Sequence, residues 1–358
     1  MSEINLQEIH DTLVSVAFEA GRMIMAANPN DISTGTKMNC MYMQDKRQEQ
    51  TLPITPTLLI HTNQPLHKPH FERRLHTARI LTTQNAAADI VTETDQAVER
   101  MVSSRLRAAY PDFSFVGEET YVPGETRVTD APTFIVDPID GTTNFVHGFP
   151  NACISLGFTL DRVPSVGVVY NPFQDLLFTG IRGQGSYMQR NASLEPGKGQ
   201  HEKQKLPLAG RGNASKAPAF GDLSSTLVAV EWGSQRDGEN FEVKARVFRK
   251  LTADKEKLGG SMVHSLRSLG SAALNICAVA AGQVDMYWEG GCYAWDVAAG
   301  WCILSEAGGR MVSGNPGDWE PAVDSRVYLA VRGASAGQKE IVEEFWGVIG
   351  EGRMDYKH

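Results

Sequence analysis

The 358-residue sequence has no run of about 18 consecutive apolar residues, so we expect no membrane-spanning helix. It also has no basic excess, because 34 Lys and Arg residues face 42 Asp and Glu residues, for a net charge of −8. A protein that binds nucleic acid non-specifically needs a basic surface, so we expect no nucleic-acid partner. The remaining composition, 42% hydrophobic and 21% charged, is typical of a globular protein.

Cysteine is scarce, and the features of a secretory signal are missing. Five Cys are too few to cross-link a chain of this length, which indicates reduced thiols. The first ten residues, MSEINLQEIH, contain neither the basic nor the apolar stretch of a signal peptide. We therefore expect a cytoplasmic protein.

Residues 38–84 contain no glycine, although the chain has 34, and they hold four of its nine His. They show no sustained periodicity, and so long a structureless segment is unusual in a compact domain. We hypothesise an insertion that is either a disordered surface loop or translated intron sequence from an imperfect gene model. A zinc site is disfavoured, because Pro69 interrupts the spacing between His67 and His70 and no Cys pair accompanies them.

Outside that segment, helical and strand patterns alternate, which favours layers of helices and sheets. Helices are predicted at 4–27, 95–109, 241–251, 272–281, 297–307 and 339–349, and strands at 133–137, 152–160, 165–170, 176–182, 226–231, 284–288 and 327–332. Residues 190–222 have little periodicity and are predicted to form a surface loop or lobe boundary. We predict an N-terminal α+β lobe over 1–222 and a C-terminal α/β lobe over 223–358.

The strongest local signal is DPIDGTTNF, residues 137–145, which follows an apolar strand. It places Asp137 and Asp140 at the predicted strand end, where Pro138 and Gly141 suit a turn. Ligands of α/β folds bind at such ends. Two carboxylates with a backbone carbonyl between them suit Mg²⁺ better than zinc or copper. The alternative is an Asp-Pro turn followed by an Asx-type cap, with no metal.

Four further acidic residues could complete a two-metal site. Glu118 and Glu119 follow an apolar run, where a solvated turn is the alternative. Asp296 opens an apolar helix and could simply cap it. Asp95 precedes another helix and has the same alternative.

Together, Gly117-Glu118-Glu119, DPIDGTTNF and the WDVAAG run at 295–300 resemble the signature motifs of the inositol monophosphatase family. The resemblance implies an α/β fold, a layered αβαβα sandwich of the inositol monophosphatase and fructose-bisphosphatase type. It also implies a homodimer that binds two or three Mg²⁺ ions and is sensitive to lithium.

The resemblance further implies roles for single residues. The metal ligands would be Glu118, Asp137, the carbonyl of Ile139, Asp140 and Asp296, with a weaker third site at Glu118 and Asp95. Thr142, hydrogen-bonded toward Asp95, would orient the attacking water, with Glu118 as a further catalytic residue. Substrate contacts would come from Gly141, Thr142, Gly270, Ser271, Ala272, Glu289 and Asp296.

The expected reaction is hydrolysis of inositol monophosphate to inositol and phosphate by direct attack of a metal-activated water. One alternative keeps this chemistry and changes the substrate to another sugar, polyol or histidinol phosphate, or to a nucleotide bisphosphate. A non-catalytic binding protein is disfavoured, because all five candidate carboxylates (Asp95, Glu118, Asp137, Asp140 and Asp296) are present.

Overall fold

The structure is a computed structural model that describes residues 4–27, 93–194, 203–208 and 217–356. Residues 1–27 and 95–358 are grouped in one compact unit, whose described residues contain both sheets. Residues 38–84 lie outside the described residues, so both hypotheses about them stay predictions.

The described helices include the six that the sequence predicts. They are α1 Leu6–Ala26, α2 93–109, α3 Thr142–His147, α4 Gly238–Thr252, α5 Lys255–Leu258, α6 Ala272–Ala280, α7 Ala294–Glu306 and α8 Gln338–Ile349. Asn5 caps α1 by accepting from the amides of Gln7 and Glu8, as Ser, Thr, Asn and Asp do at helix starts. The short helices α3 and α5 were not predicted, because one turn gives no measurable periodicity.

The first sheet has seven strands in sequential order. They are β1 Ser114–Gly117, β2 Thr133–Asp140, β3 Cys153–Leu160, β4 Val163–Asn171, β5 Leu176–Ile181, β6 Gly185–Arg190 and β7 Gln204–Lys205. β1 and β2 are parallel, and all later neighbours are antiparallel. The interpretation of 190–222 as loop is thus wrong for β7, whose two exposed residues carry no apolar pattern.

The second sheet has five strands in the order β11-β12-β10-β8-β9. They are β8 Leu227–Val230, β9 Ser265–Arg267, β10 Met286–Gly290, β11 Arg310–Ser313 and β12 Val327–Val331. β8 is parallel to β9 and β10, whereas β12 is antiparallel to both of its neighbours. β9 and β11 are only three and four residues long and were not predicted.

The elements stack in five layers, which confirms the predicted αβαβα sandwich. Helix α1 packs on the first sheet, and α2 lies beside it through the Arg105–Glu19 ion pair at 2.6 Å. Helices α6 and α7 fill the space between the sheets, where the largest apolar core lies. Helices α4 and α8 cover the outer face of the second sheet. The lobe boundary at 222/223 stays a prediction.

Three glycines let α7 lie directly on the first sheet. A Cβ atom on Gly167 would lie 2.1 Å from the carbonyl oxygen of Ala299, and one on Gly180 would lie 3.0 Å from Ile303 Cα. Gly157 makes a similar close contact with Ala298. Glycine is required where backbones approach this closely. The contact brings the first turn of α7, with Asp296, toward the sheet.

Two expectations from composition can be compared with the fold. No helix among the described residues is long and apolar enough to cross a membrane. The four cysteines in that part of the chain, at 153, 277, 292 and 302, are buried and free. They pack as small apolar residues, as expected for thiols in apolar runs.

Candidate active site

Strand β2 does not end where the sequence predicts a turn. It continues through Pro138 to Asp140, and all eight of its residues are buried. Its pairing with β3 shifts register between Asp137, opposite Ser155, and Asp140, opposite Cys153. A bulge of this kind accommodates proline, which has no N–H to donate. Residues three apart on a regular strand face opposite sides, so the irregularity lets both carboxylates reach one point.

Three carboxylates meet there. Asp137, Asp140 and Asp296 each offer an oxygen, and these oxygens all lie within 4.8 Å of one another. Asp137 is 2% exposed and Asp140 is 8% exposed. The donors are all hard oxygens without imidazole or thiolate, and such a set fits Mg²⁺.

Burial makes this group electrostatically costly. Burial, together with the nearby charge of Glu118, raises the pKa of Asp140 to about 6, although the hydrogen bond from Ser271 acts in the opposite direction. Burial, followed by the charges of Asp140 and Glu118, holds the pKa of Asp296 well above its usual range. Glu118 lies outside the group of three but acts on two of its members. A bound cation would favour the ionised form of each carboxylate.

Asp140 is also held by the start of α6. Its Oδ2 accepts from the Ser271 hydroxyl at 2.6 Å and from the Ala273 amide at 2.7 Å. Ser271 is the N-cap of α6, and its hydroxyl accepts from the Leu274 amide at 3.2 Å. The expected contact of Ser271 with a substrate hydroxyl stays a prediction. In the structure, the Ser271 hydroxyl donates to Asp140, a candidate metal ligand.

Thr142 lies two residues after Asp140, in the first turn of α3. Its hydroxyl donates to the carbonyl of Ile139 at 3.1 Å. That carbonyl has a second lone pair, so the contact is compatible with a metal-ligand role for Ile139. Asp95 is fully buried on α2. The expected Thr142–Asp95 pair stays a prediction.

The loop before α6 is organised by Glu231, which the sequence did not indicate. Its carboxylate accepts from the Ser268 hydroxyl at 2.7 Å and from the Leu269 and Gly270 amides at 2.6 and 2.9 Å. The Asn275 side chain donates to it at 2.9 Å. One buried carboxylate thus fixes the loop that carries the expected substrate contacts.

Two asparagines hold the same loop from the opposite side, and sequence reasoning missed both roles. The side-chain amides of Asn144 and Asn151 donate to the carbonyl of Leu269 at 2.6 and 2.9 Å. Asn144 also donates to the Asn151 carbonyl at 2.7 Å. The sequence feature that could have indicated this role is the position of Asn144 within the DPIDGTTNF motif. The motif therefore connects the carboxylate group to the loop preceding Ser271.

Glu289 lies near the end of β10, half-buried in a polar cluster. Its neighbour Tyr287 donates a hydrogen bond to it. Burial raises the pKa of Glu289 to about 7, although the charge of Lys244 acts in the opposite direction. Its assignment to substrate stays a prediction.

Comparison with known proteins identifies the family of this chain. The family model described as "Inositol monophosphatase family" matches residues 66–349. The chain belongs to the inositol monophosphatase family. This range includes residues 66–84 of the segment that we interpret as an insertion. The resemblance carried by the three motifs is confirmed.

Two relatives in Saccharomyces cerevisiae are similar over most of the chain. "Inositol monophosphatase 2" is 46% identical over 273 residues, covering 75% of this chain and 85% of the yeast protein. "Inositol monophosphatase 1" is 44% identical over 282 residues, covering 77% and 88%. A solved inositol monophosphatase structure from Anabaena (Nostoc) sp. superposes with a TM-score of 0.59 at 23% identity, covering 98% of both chains. That structure supports the αβαβα fold.

Proposed function

We propose that this protein is a Mg²⁺-dependent phosphatase that hydrolyses inositol monophosphate to inositol and phosphate. The observation that carries the proposal is the group of three carboxylates whose oxygens lie within 4.8 Å. Its relatives at 46% and 44% identity are named inositol monophosphatases, which supports the substrate class.

Asp137, Asp140 and Asp296, with Glu118 beside them, would hold two or three Mg²⁺ ions. When bound, Mg²⁺ supplies positive charge for a dianionic phosphate ester and lowers the pKa of a water. The Ser271 hydroxyl and the Ala273 amide donate to Asp140 and fix its orientation, so one candidate ligand is already positioned for Mg²⁺.

Thr142 has a role that follows from its hydroxyl group. The hydroxyl contacts the carbonyl of Ile139, and its lone pairs can accept a hydrogen bond from a water. We assign the orientation of the attacking water to Thr142, supported by buried Asp95. The amides of Gly141 and Thr142 are assigned to the phosphate.

Substrate recognition is assigned to the loop before α6 and to Glu289. Glu231 and Asn144 hold that loop rigidly, so Gly270, Ser271 and Ala272 are presented in a fixed conformation. A polyol needs such fixed polar groups, since its hydroxyls are distinguished by hydrogen-bond geometry. We further propose a cytoplasmic homodimer that is sensitive to Li⁺.

The test is phosphate release from inositol 1-phosphate, with and without Mg²⁺, and with added Li⁺. We expect Mg²⁺-dependent turnover that Li⁺ reduces and that Asp137→Asn abolishes with the fold intact. Turnover only on a histidinol phosphate, another sugar phosphate or a nucleotide bisphosphate would replace the substrate and keep the chemistry. No Mg²⁺-dependent release on that panel would overturn the proposal.

A further inference from the structure

The backbone of residues 354–356 is held by two asparagine side chains. Asn315 Oδ1 accepts from the Met354 amide at 2.8 Å, and its Nδ2 donates to the Met354 carbonyl at 2.8 Å. Asn240 makes the same reciprocal pair with Asp355, at 2.8 and 2.7 Å. Each pair supplies the two hydrogen bonds that a neighbouring strand would supply. The segment is therefore fixed in place without belonging to a sheet.

The 354–356 segment covers residues 290–293, the loop that follows Glu289 and leads from β10 into α7. A Cβ atom on Gly290 would lie 2.8 Å from the Met354 sulfur and 2.8 Å from the Tyr356 ring. Gly291 has φ +110°, and a Cβ atom there would lie 3.2 Å from the same ring. Only glycine permits such contact. The two glycines therefore let Met354 and Tyr356 pack directly against the loop.

The carbonyl oxygens of this loop are bound by two buried cations. Lys244 Nζ donates to the carbonyl of Gly290 at 2.8 Å. Arg326 donates to the carbonyls of Cys292 and Gly291 at 2.9 and 3.0 Å. Three successive carbonyls are thus paired with charged donors, which give the stronger class of hydrogen bond.

The same cations connect the loop to Tyr356. The Arg326 guanidinium lies 3.5 Å from the centre of the Tyr293 ring and 5.7 Å from that of Tyr356. Lys244 lies 6.0 Å from the Tyr356 ring centre. These separations are within the range of cation–π attraction. Removing the Tyr356 ring would expose both cations and the two glycines.

The opposite end of the loop is anchored separately. Asp296 lies in the first turn of α7 and accepts from the Tyr293 amide at 2.6 Å. Ser155, on the first sheet, donates to the carbonyl of Trp295 at 2.9 Å. A loosened 354–356 segment would therefore free the Glu289 end while leaving the Asp296 end in place.

We propose that residues 354–356 are positioning residues that fix Glu289 for contact with the polyol part of the substrate. The proposal rests on the proposed function for the identity of the substrate. It predicts weaker substrate binding, with the metal-dependent step preserved, when the segment is detached.

The kinetic experiment uses Tyr356→Ala and Asn315→Ala in the full chain. We expect KM for inositol 1-phosphate to rise about 10-fold, with kcat within about 2-fold, because uniform binding is lost. Tyr356→Phe keeps the ring and should restore KM. Glu351→Ala, at an exposed position outside the segment, is the matched control and should not change KM.

A second readout needs no substrate. Amide hydrogen exchange of residues 286–293 should accelerate in Tyr356→Ala and Asn315→Ala, while exchange in 297–306 stays at the wild-type rate. Unchanged KM and exchange, or equal losses across both regions with a lowered melting temperature, would overturn the proposal. If the wild type does not hydrolyse inositol 1-phosphate, the proposed function fails, and the exchange result still decides whether the segment positions Glu289.

Discussion

Buried carboxylates occur in two contrasting settings around this site. Asp137, Asp140 and Asp296 face one another, and the pKa of Asp296 is raised by burial and by the charge of Asp140. Glu231 is 8% exposed, like Asp140, and accepts four hydrogen bonds from the loop before α6 and from Asn275. The donors around Glu231 compensate its charge. In the group of three, Asp140 and Asp296 also accept hydrogen bonds, but the pKa of each stays raised, so a bound cation would stabilise their ionised forms. The comparison distinguishes carboxylates placed to bind a metal ion from one that fixes the conformation of a loop.

The largest effect is expected when a member of the group of three is neutralised. Asp296→Asn should lower kcat by more than about 10²-fold, because loss of a metal ligand should exceed the 10- to 100-fold cost of losing an outer partner. The Asn side chain still accepts from the Tyr293 amide, so α7 should keep its cap. Without Mg²⁺, the variant should melt no lower than wild type, since a buried like charge has been removed.

Asp112→Asn, at an exposed position, is the matched control for loss of one negative charge. It should leave turnover and its Mg²⁺ dependence unchanged. Near-normal kcat in Asp296→Asn would remove this residue from the metal centre.

These residues could be predicted from the sequence because their chemistry is local. Asp137 and Asp140 share one short motif, and Asp296 opens a helix whose apolar pattern is plain. The predicted turn at Pro138 was wrong, because a β-bulge lets the strand continue past a residue that usually ends one. Layers of helices and sheets followed from the alternation of periodic segments, and the five-layer order came from the family resemblance. The shortest elements carried no periodicity to detect.

Glu231 could not be predicted, because every partner is distant in sequence. Its donors are 37 to 44 residues further along the chain. At the end of a strand, a lone Glu is most simply interpreted as solvated, and only the hydrogen bonds from the loop before α6 and from Asn275 show otherwise. The roles of Asn240 and Asn315 were hidden for the same reason, since their partners are 115 and 39 residues away.

The second prediction tests whether Glu231 fixes the loop before α6 through its hydrogen bonds. In Glu231→Gln, an amide nitrogen would face donors that now bind a carboxylate oxygen. We expect about 2–3 kcal/mol lower stability, from lost hydrogen bonds to a charged acceptor. kcat/KM should fall about 10- to 50-fold, because the loop before α6 loses its fixed conformation.

Glu242→Gln, exposed on α4, controls for the change of charge. A Glu231→Gln protein with wild-type kcat/KM and melting temperature would show that the four hydrogen bonds are dispensable. The contrast between the two kinds of carboxylate would then not hold.

The third prediction concerns Glu289, whose pKa is raised to about 7 by burial from 4.5 for an ordinary Glu. Between these values the folded protein keeps a proton that the unfolded chain has released, so stability falls as pH rises. From about pH 5.5 to 7 this loss amounts to about 2 kcal/mol. In Mg²⁺-free buffer, Glu289→Gln should melt with a flatter dependence on pH than wild type.

Other carboxylates contribute to the same pH dependence, so the difference between the two proteins is the quantity to measure. Glu340→Gln, exposed in the first turn of α8, serves as control and should retain the wild-type slope. Parallel curves for wild type and Glu289→Gln would show that Glu289 is ionised throughout this range.

The smallest effect is expected at Ser271. This residue donates to Asp140 in the group of three and directly follows the loop that Glu231 holds. Its hydroxyl donates to Asp140 and accepts from the Leu274 amide. Ser271→Ala therefore removes a hydrogen bond to a candidate metal ligand and also the N-cap of α6. Loss of the cap should cost about 1 kcal/mol, and Mg²⁺ affinity should fall about 10-fold. Ser271→Thr keeps the hydroxyl and should behave as wild type in thermal melting and Mg²⁺ titration. If Ser271→Ala lost only the stability, Asp140 would be oriented by the Ala273 amide alone, and the hydroxyl would belong to the helix rather than to the metal centre.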